Sequence, residues 1–275
     1  MNTPDWRAQF AEEARSERPD LALLCLLIGA EAEGAADSSA IDAAQVELDR
    51  LAGMVPYRPG GPAAWARAVG DLLGERCGFR GAPADYQRLE SSLLHEVLRR
   101  RRGLPILLSV VWMEVARRAG APVYGVALPG HFTVGFGEVG EEPLLADPFD
   151  GGRVLSTTDA SLLVAGATGA PLDPSMLRPA STLDIVLRIL NNIRAWAAAR
   201  PEQSGVALWA VDLSLLLPSH PARLRYERAQ LLVQRGEFVR GAEELEQYAE
   251  ILDGVERGAA DLVRGEARAA RARLN

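Results

Sequence analysis

His131 and Asp147 are the residues of this 275-residue chain from which acid–base chemistry is most directly built. Histidine gains and loses its proton near neutral pH, and a carboxylate beside the ring orients it and steadies its charged form. A histidine on one strand and an aspartate on the next supply the base and the orienting group of a hydrolase or acyl-transfer triad, which a nucleophile must complete. Two side chains qualify by type: Ser109, which interrupts the apolar run from Ile106 to Met113, and Cys77, which precedes Gly78. Each has a plainer reading. A serine in a buried helix bonds back to the carbonyl four residues earlier, and Cys77 lies a whole helix before the apolar run with no placed partner. A lone histidine after Pro-Gly is often a structural hydrogen-bonding group; the aspartate a strand away favours a His131–Asp147 contact, whether or not the pair does chemistry.

Composition removes other chemistries. All 30 basic residues are arginine, so a Schiff-base lysine and a P-loop lysine are both excluded. His95, His131 and His220 fall in unrelated contexts, no HExxH or CxxC pair occurs, and the acidic turn at Asp147–Gly152 lacks EF-hand spacing; no metal and no cofactor is expected. The net charge of −7 argues against general nucleic-acid binding. Two cysteines cannot build a disulfide framework, and Cys25 sits in an apolar run where burial is its expected role. The first twenty residues are acidic with no basic leader, and the apolar runs fall far short of the ~20 residues of a membrane span. A cytoplasmic, reduced protein without membrane insertion is the expectation.

The elements that must position these groups follow from local signals. Gly103-Leu104-Pro105 starts a helix, since proline at the first helical position gives up only an N–H that had no partner. That helix is apolar all round through Met113, hence buried, turns polar at Glu114, Arg117 and Arg118, and ends at Gly120. Pro122–Leu128 and His131–Phe136 read as strands about a Pro129-Gly130 turn, with Phe132, Val134 and Phe136 on one face and His131 on the other. Pro143–Ala146 and Arg153–Leu155 continue the sheet around the Asp147–Gly152 turn. Residues 156–180 read as a loop with one short helix.

Helices flank this centre. Before it, Pro4–Glu17, Leu21–Ala30 capped by Asp20, a helix opened by Asp37-Ser38-Ser39, and Ala63–Glu75 after a loop containing Pro56, Pro59 and Pro62 lead to a helix capped by Ser91 or Ser92. The run Arg99–Arg102 reads mainly as the basic end of that helix, with Asp85 and Glu90 as possible partners, and less as an anion site. From Thr182 onward the chain is helical again. Ala207 and Ala242, 35 residues apart, and the turn Gly236-Glu237-Phe238 fit a tetratricopeptide period, whose small residues let paired helices approach closely.

The order Gly103-Leu104-Pro105, buried helix, Gly120-Ala121-Pro122, His131, Asp147-Pro148 resembles the transglutaminase-like (papain-like) core. That resemblance implies a triad whose nucleophilic cysteine would stand at Pro105, seventeen residues before Pro122, with His131 and Asp147 at the other two positions. Proline cannot be a nucleophile. GFRGAPADY (78–86), SSLLHEVLRRRRGLPILLS (91–109), PGHF (129–132) and a tetratricopeptide-like tail together resemble the bacterial SirB-type family, which also places proline there. Ser109, one turn beyond Pro105 and roughly 6 Å deeper along the axis, is the stand-in to test.

The expected fold is α+β and predominantly helical: an N-terminal helical part (1–98), a transglutaminase-like core (99–180) with a buried helix on a small antiparallel sheet, and a tetratricopeptide-like tail (181–275). Arg102, Gly103, Pro105, Gly130 and Phe132 are expected at the cleft. The expected function is a non-catalytic module binding a protein or peptide partner through cleft and tail. The alternative is a hydrolase or acyltransferase using His131 and Asp147 with Ser109 or an activated water.

Overall fold

The computed structural model describes residues 5–34, 38–56, 60–254 and 256–273. Pro4, Asp37 and Pro59, which figure in the sequence reading, lie outside these. Two compact units are present, residues 1–189 and 190–275. Among the described residues the chain forms twelve α-helices and one four-stranded antiparallel sheet, the α+β, mainly helical architecture expected.

In the first unit, α1 (Trp6–Glu13) buries Trp6 and Phe10, and α2 (Leu21–Glu33) begins where the Asp20 carboxylate accepts the Leu23 N–H at 2.8 Å. Next come α3 (Ser38–Gly53) and α4 (Pro62–Gly70). The helix expected to run on to Glu75 instead widens to a π-helical turn over Asp71–Arg76. Here a Cβ on Gly74 would fall 1.8 Å from the Gly151 carbonyl oxygen, so helix backbone and sheet turn lie against each other. The short α5 (Leu94–Arg100) is not capped by a serine. Its N-cap is Leu93, while Ser91 and Ser92 are buried in the preceding 3-10 turn and the Ser91 carbonyl accepts the Leu104 N–H.

The organising element is α6 (Pro105–Arg118). Pro105 takes its first position, and every residue through Ala116 is buried. Glu114, placed by sequence in a polar last turn, is itself buried and is held by Arg117 and Arg118. A charge in such a place is tolerated because it is paired.

The strands run β1 (Val123–Val126), β2 (Thr133–Phe136), β3 (Leu144–Asp147) and β4 (Arg153–Leu155), in that spatial order. Val126 pairs with Thr133, Val134 with Ala146, and Asp147 with Arg153. β2 is shorter than expected and His131 precedes it. All four of its residues are buried, because both faces of the sheet are covered. On one side Phe132 approaches β1 beside Met113 of α6: a Cβ on Gly125 would strike both. On the other, Val126, Leu128, Leu145 and Leu155 pack with Ala160 and Val164 of α7 (Thr157–Thr168), a longer helix than the sequence reading allowed. Ser156 and Asp159 cap it reciprocally, as an N-terminal capping box does.

Helix α8 (Thr182–Ala198) begins in the first unit. The second contains α9 (Ser204–Leu216), α10 (Arg223–Gln234), α11 (Phe238–Asp253) and α12 (Arg257–Ala272). Its core is made of small side chains: Ala229, Ala242, Ala249, Ala267 and Ala270 pack with Leu245 and Val263. Arg228 ties α9 to α11 through Asp212 and Glu244.

Candidate functional site

The β1–β2 turn places the histidine. The His131 N–H donates to the Leu128 carbonyl at 3.2 Å, closing a turn with Pro129 at its second position and Gly130, at φ +71°, at its third. That third position needs the left-handed conformation glycine adopts without strain. Extending the β2–β3 register by one step sets Asp147 opposite Thr133, so His131, two residues earlier, is its diagonal neighbour. His131 Nε2 lies 2.9 Å from Asp147 Oδ2, with both side chains largely buried. His131 Nε2 has no hydrogen-bond partner among the described residues, so this is a close approach rather than a hydrogen bond. The second carboxylate oxygen, Oδ1, accepts the Phe149 N–H at 2.9 Å, which fixes the group from the backbone.

Phe149 links this pair to the loop before α5. Its ring meets His131 edge-on at 6.2 Å between centroids and Tyr86 at 6.1 Å. Its carbonyl accepts the Gly81 N–H at 2.9 Å, and a Cβ on Gly81 would lie 1.9 Å from the ring. The loop is clamped by Asp85, buried to 2% exposure. The Asp85 carboxylate accepts the Ala82 N–H at 2.8 Å and Arg102 Nη2 at 2.9 Å, with Arg100 Nη2 at 3.9 Å. The Arg99–Arg102 run is thus largely spoken for. Arg99 pairs with Glu96, and Arg101, at φ +57°, donates to the Cys77 carbonyl at 2.9 Å.

The other expected cleft residues lie deeper. Gly103 is buried, and a Cβ there would press on Val97. Pro105 is buried at the start of α6, and Phe132 is 1% exposed, so its ring belongs to the core rather than to a cleft wall. Ser109 is fully buried and does not bond back along its helix: its Oγ donates to the Phe132 carbonyl at 3.3 Å. That bond joins α6 to the strand entry beside His131. Cys77 is buried as well.

Two residues at this site escaped the sequence reading. Tyr86 is 48% exposed over Phe149, and partial burial together with the charge of Asp147 pushes its phenol pKa up. Arg188 of α8 lies beneath the turn. Its Nη2 donates to the carbonyls of Leu128 (2.8 Å) and His131 (2.7 Å), and its guanidinium sits 5.5 Å from the centre of the Phe132 ring. Burial holds its pKa below the usual arginine range, with Tyr86 acting in the opposite sense. Residue 188 is 57 positions from His131, and nothing local in the sequence distinguishes this arginine from the others of a helical stretch.

Elsewhere, Glu33, His95 and Glu96 offer ligand atoms within 4.8 Å of one another, a proximity the scattered histidines did not foretell. Arg99 already engages both oxygens of Glu96, and His95 Nε2 lies 2.8 Å from Glu33. Among the described residues no helix is long and apolar enough to cross a membrane.

Comparison with known proteins agrees with this architecture. The tetratricopeptide repeat matches residues 193–275. A UPF0162 protein of Xylella fastidiosa (strain Temecula1) is 34% identical over 203 residues, covering 72% of this chain and 71% of the relative. A UPF0162 protein of Vibrio cholerae is 30% identical over 157 residues, 56% of this chain and 57% of that one. F-box only protein 21 of Pongo abelii is 23% identical over 201 residues, which cover 70% of this chain but 32% of that much longer protein. With the transglutaminase-like superfamily matching residues 42–191, more than half its length, the chain belongs to that superfamily and carries a tetratricopeptide repeat behind the core.

Proposed function

We propose that this protein is a non-catalytic member of its superfamily, a module that holds a protein or peptide partner through the cleft at His131 and through its helical-repeat tail. The observation that carries the reading is Pro105, the residue at the nucleophile position, buried at the first turn of α6 with no atom able to attack a carbonyl. The nearest substitute by type, Ser109, is buried and spends its hydroxyl hydrogen on the Phe132 carbonyl. What persists is recognition chemistry: an exposed phenol, an aromatic stack and, largely buried behind it, a histidine held against a carboxylate. Repeat helices of the tail's kind present extended surfaces to partners. In this tail Gln230, Gln234, Glu266 and Arg273 rim a groove floored by Val233, Leu245 and Ala270.

A hydrolase or acyltransferase is the second reading, favoured by the 2.9 Å His131–Asp147 approach, which suits a base that activates water. The two separate in one experiment on the purified chain. Fluorophosphonate and iodoacetamide probes are applied to the wild type and to Ser109→Ala, Cys77→Ala and His131→Ala, alongside hydrolysis of a mixed ester and peptide substrate set. The binding reading expects neither labelling that depends on His131 nor turnover. Labelling at Ser109 or Cys77 that His131→Ala abolishes, or turnover that it abolishes in a folded protein, overturns it.

A further inference from the structure

The unexplained group at this site is Arg188. Other half-buried arginines among the described residues carry carboxylates: Arg118 has Asp49 and Glu114, Arg194 has Glu227, and Arg228 has Asp212 and Glu244. Arg188 has none among the described residues. Its Nη2 is bound to the Leu128 and His131 carbonyls, one face rests on Phe132, and Nε and Nη1 meet no acceptor among the described residues. Taking a cation out of water is costly unless an opposite charge meets it. The two carbonyl bonds and the ring hold the guanidinium in place but leave its charge unmatched. Held this way it is pre-organised, so a partner ordering against it loses little further entropy.

We propose that Arg188 receives a carboxylate of the partner, with the Tyr86 hydroxyl as second donor and the Phe149 ring beneath; this rests on the binding reading above. The charge count selects the ligand class. One guanidinium beside a neutral phenol matches one negative charge. Asp147, whose field already reaches Tyr86, opposes a second, so a phosphate dianion fits less well than a carboxylate. A carboxylate can also set one oxygen on a remaining Arg188 N–H and the other on the Tyr86 hydroxyl. The carboxylate is either a chain terminus or an Asp or Glu side chain.

The test uses the full-length protein, with the Arg188 Nε–H and the His131 ring followed by NMR. The probes are N-benzoylglycine (a terminal carboxylate), the α-amide of N-acetylglutamate (a side-chain carboxylate), N-benzoylglycinamide and inorganic phosphate. One of the two carboxylates should shift the Arg188 signal saturably, with a Kd on the order of 1–10 mM, and the stronger identifies the source. The amide should leave it unmoved. Tyr86→Phe, at an exposed position, should weaken binding about threefold to tenfold. Arg188→Gln should weaken it more than about tenfold, with circular dichroism checking its fold and Arg188→Lys restoring part. Equal response to amide and carboxylate, tighter binding of phosphate, or affinity unchanged in Tyr86→Phe and Arg188→Gln overturns the proposal. A protein partner that binds the wild type and both variants equally sinks this assignment alone and leaves the binding reading standing. Hydrolysis of a probe that depends on His131 sinks the binding reading itself.

Discussion

Replacing Asp85 by alanine tests whether the loop carrying Tyr86 is held as the geometry states. The carboxylate is buried and receives four approaches: Arg102 through Nη2 at 2.9 Å and Nε at 3.5 Å, the Ala82 amide at 2.8 Å, and Arg100 at 3.9 Å. A hydrogen bond between charged groups contributes about 1.5–3 kcal/mol, and the lower end applies because the Arg102 side chain is 40% exposed and water replaces part of the loss. The Ala82 N–H left without its acceptor adds about 1 kcal/mol. Arg100, 17% exposed and losing its nearest negative charge, adds a comparable amount. The expected destabilisation is about 3–5 kcal/mol, which at an m-value near 2 kcal/mol/M lowers the urea midpoint by roughly 2 M. Tryptophan fluorescence reads it cleanly in a Trp196→Phe, Trp209→Phe background, which leaves emission only from Trp6, Trp65 and Trp112 of the first unit. Asp85→Asn, which keeps an acceptor for Ala82, should fall between alanine and wild type. A loss below about 1 kcal/mol for Asp85→Ala, or full additivity with Arg102→Ala in a double-mutant cycle, would refute the clamp.

Three further outcomes follow from single contacts. Gly81→Ala places a methyl 1.9 Å from the Phe149 ring, so ring or loop must move; we expect about 1–3 kcal/mol of destabilisation in urea and a changed His131 ring signal by NMR. Gly241→Ala brings a methyl within 2.5 Å of a Val233 methyl and 3.0 Å of the Ala229 carbonyl, and should destabilise the second unit by a similar amount while leaving the emission of Trp6, Trp65 and Trp112 unchanged. Cys25 is fully buried, and burial with Glu114 and Asp20 nearby pushes its thiol pKa up; iodoacetamide at pH 8.5 should modify it only in denaturant, as peptide mapping would show.

What was legible in the sequence was what short-range chemistry controls. Pro105 marks the first turn of α6 because its lost N–H has no partner there. Asp20 caps α2 with its own carboxylate, and Pro129-Gly130 forms the turn its φ requirement dictates. The pairing of His131 with Asp147 was approachable because a hairpin ladder makes residues on successive strands diagonal neighbours. Groups acting at a distance were not legible. Arg188 reaches the site from a helix 57 residues on, and the Tyr86–Phe149–His131 stack joins three separate stretches. The partner of Ser109 also had to be seen: local preference points to its own helix, but close packing of β2 brings the Phe132 carbonyl within reach. Likewise Ser91 and Ser92 have the chemistry of caps, yet the loop turns them inward and leaves Leu93 at the helix start.

Pro105 bears on more than the missing thiol. A catalytic helix start needs its first-turn N–H groups free to steady developing negative charge. A proline there contributes none. On the strand side the residues are held by bonds that involve no nucleophile. Arg188 fixes the turn by bonding both of its carbonyls, Asp147 is fixed by the Phe149 amide, and Asp85 anchors the loop that carries Tyr86. Each bond restrains a group around His131, and none of them requires a proton to move. A triad needs a base free to approach and leave its nucleophile, whereas a binding surface gains from groups that are held still. The proposed binding role would use the held groups on this face, and Pro105 offers none of what a triad would need from α6.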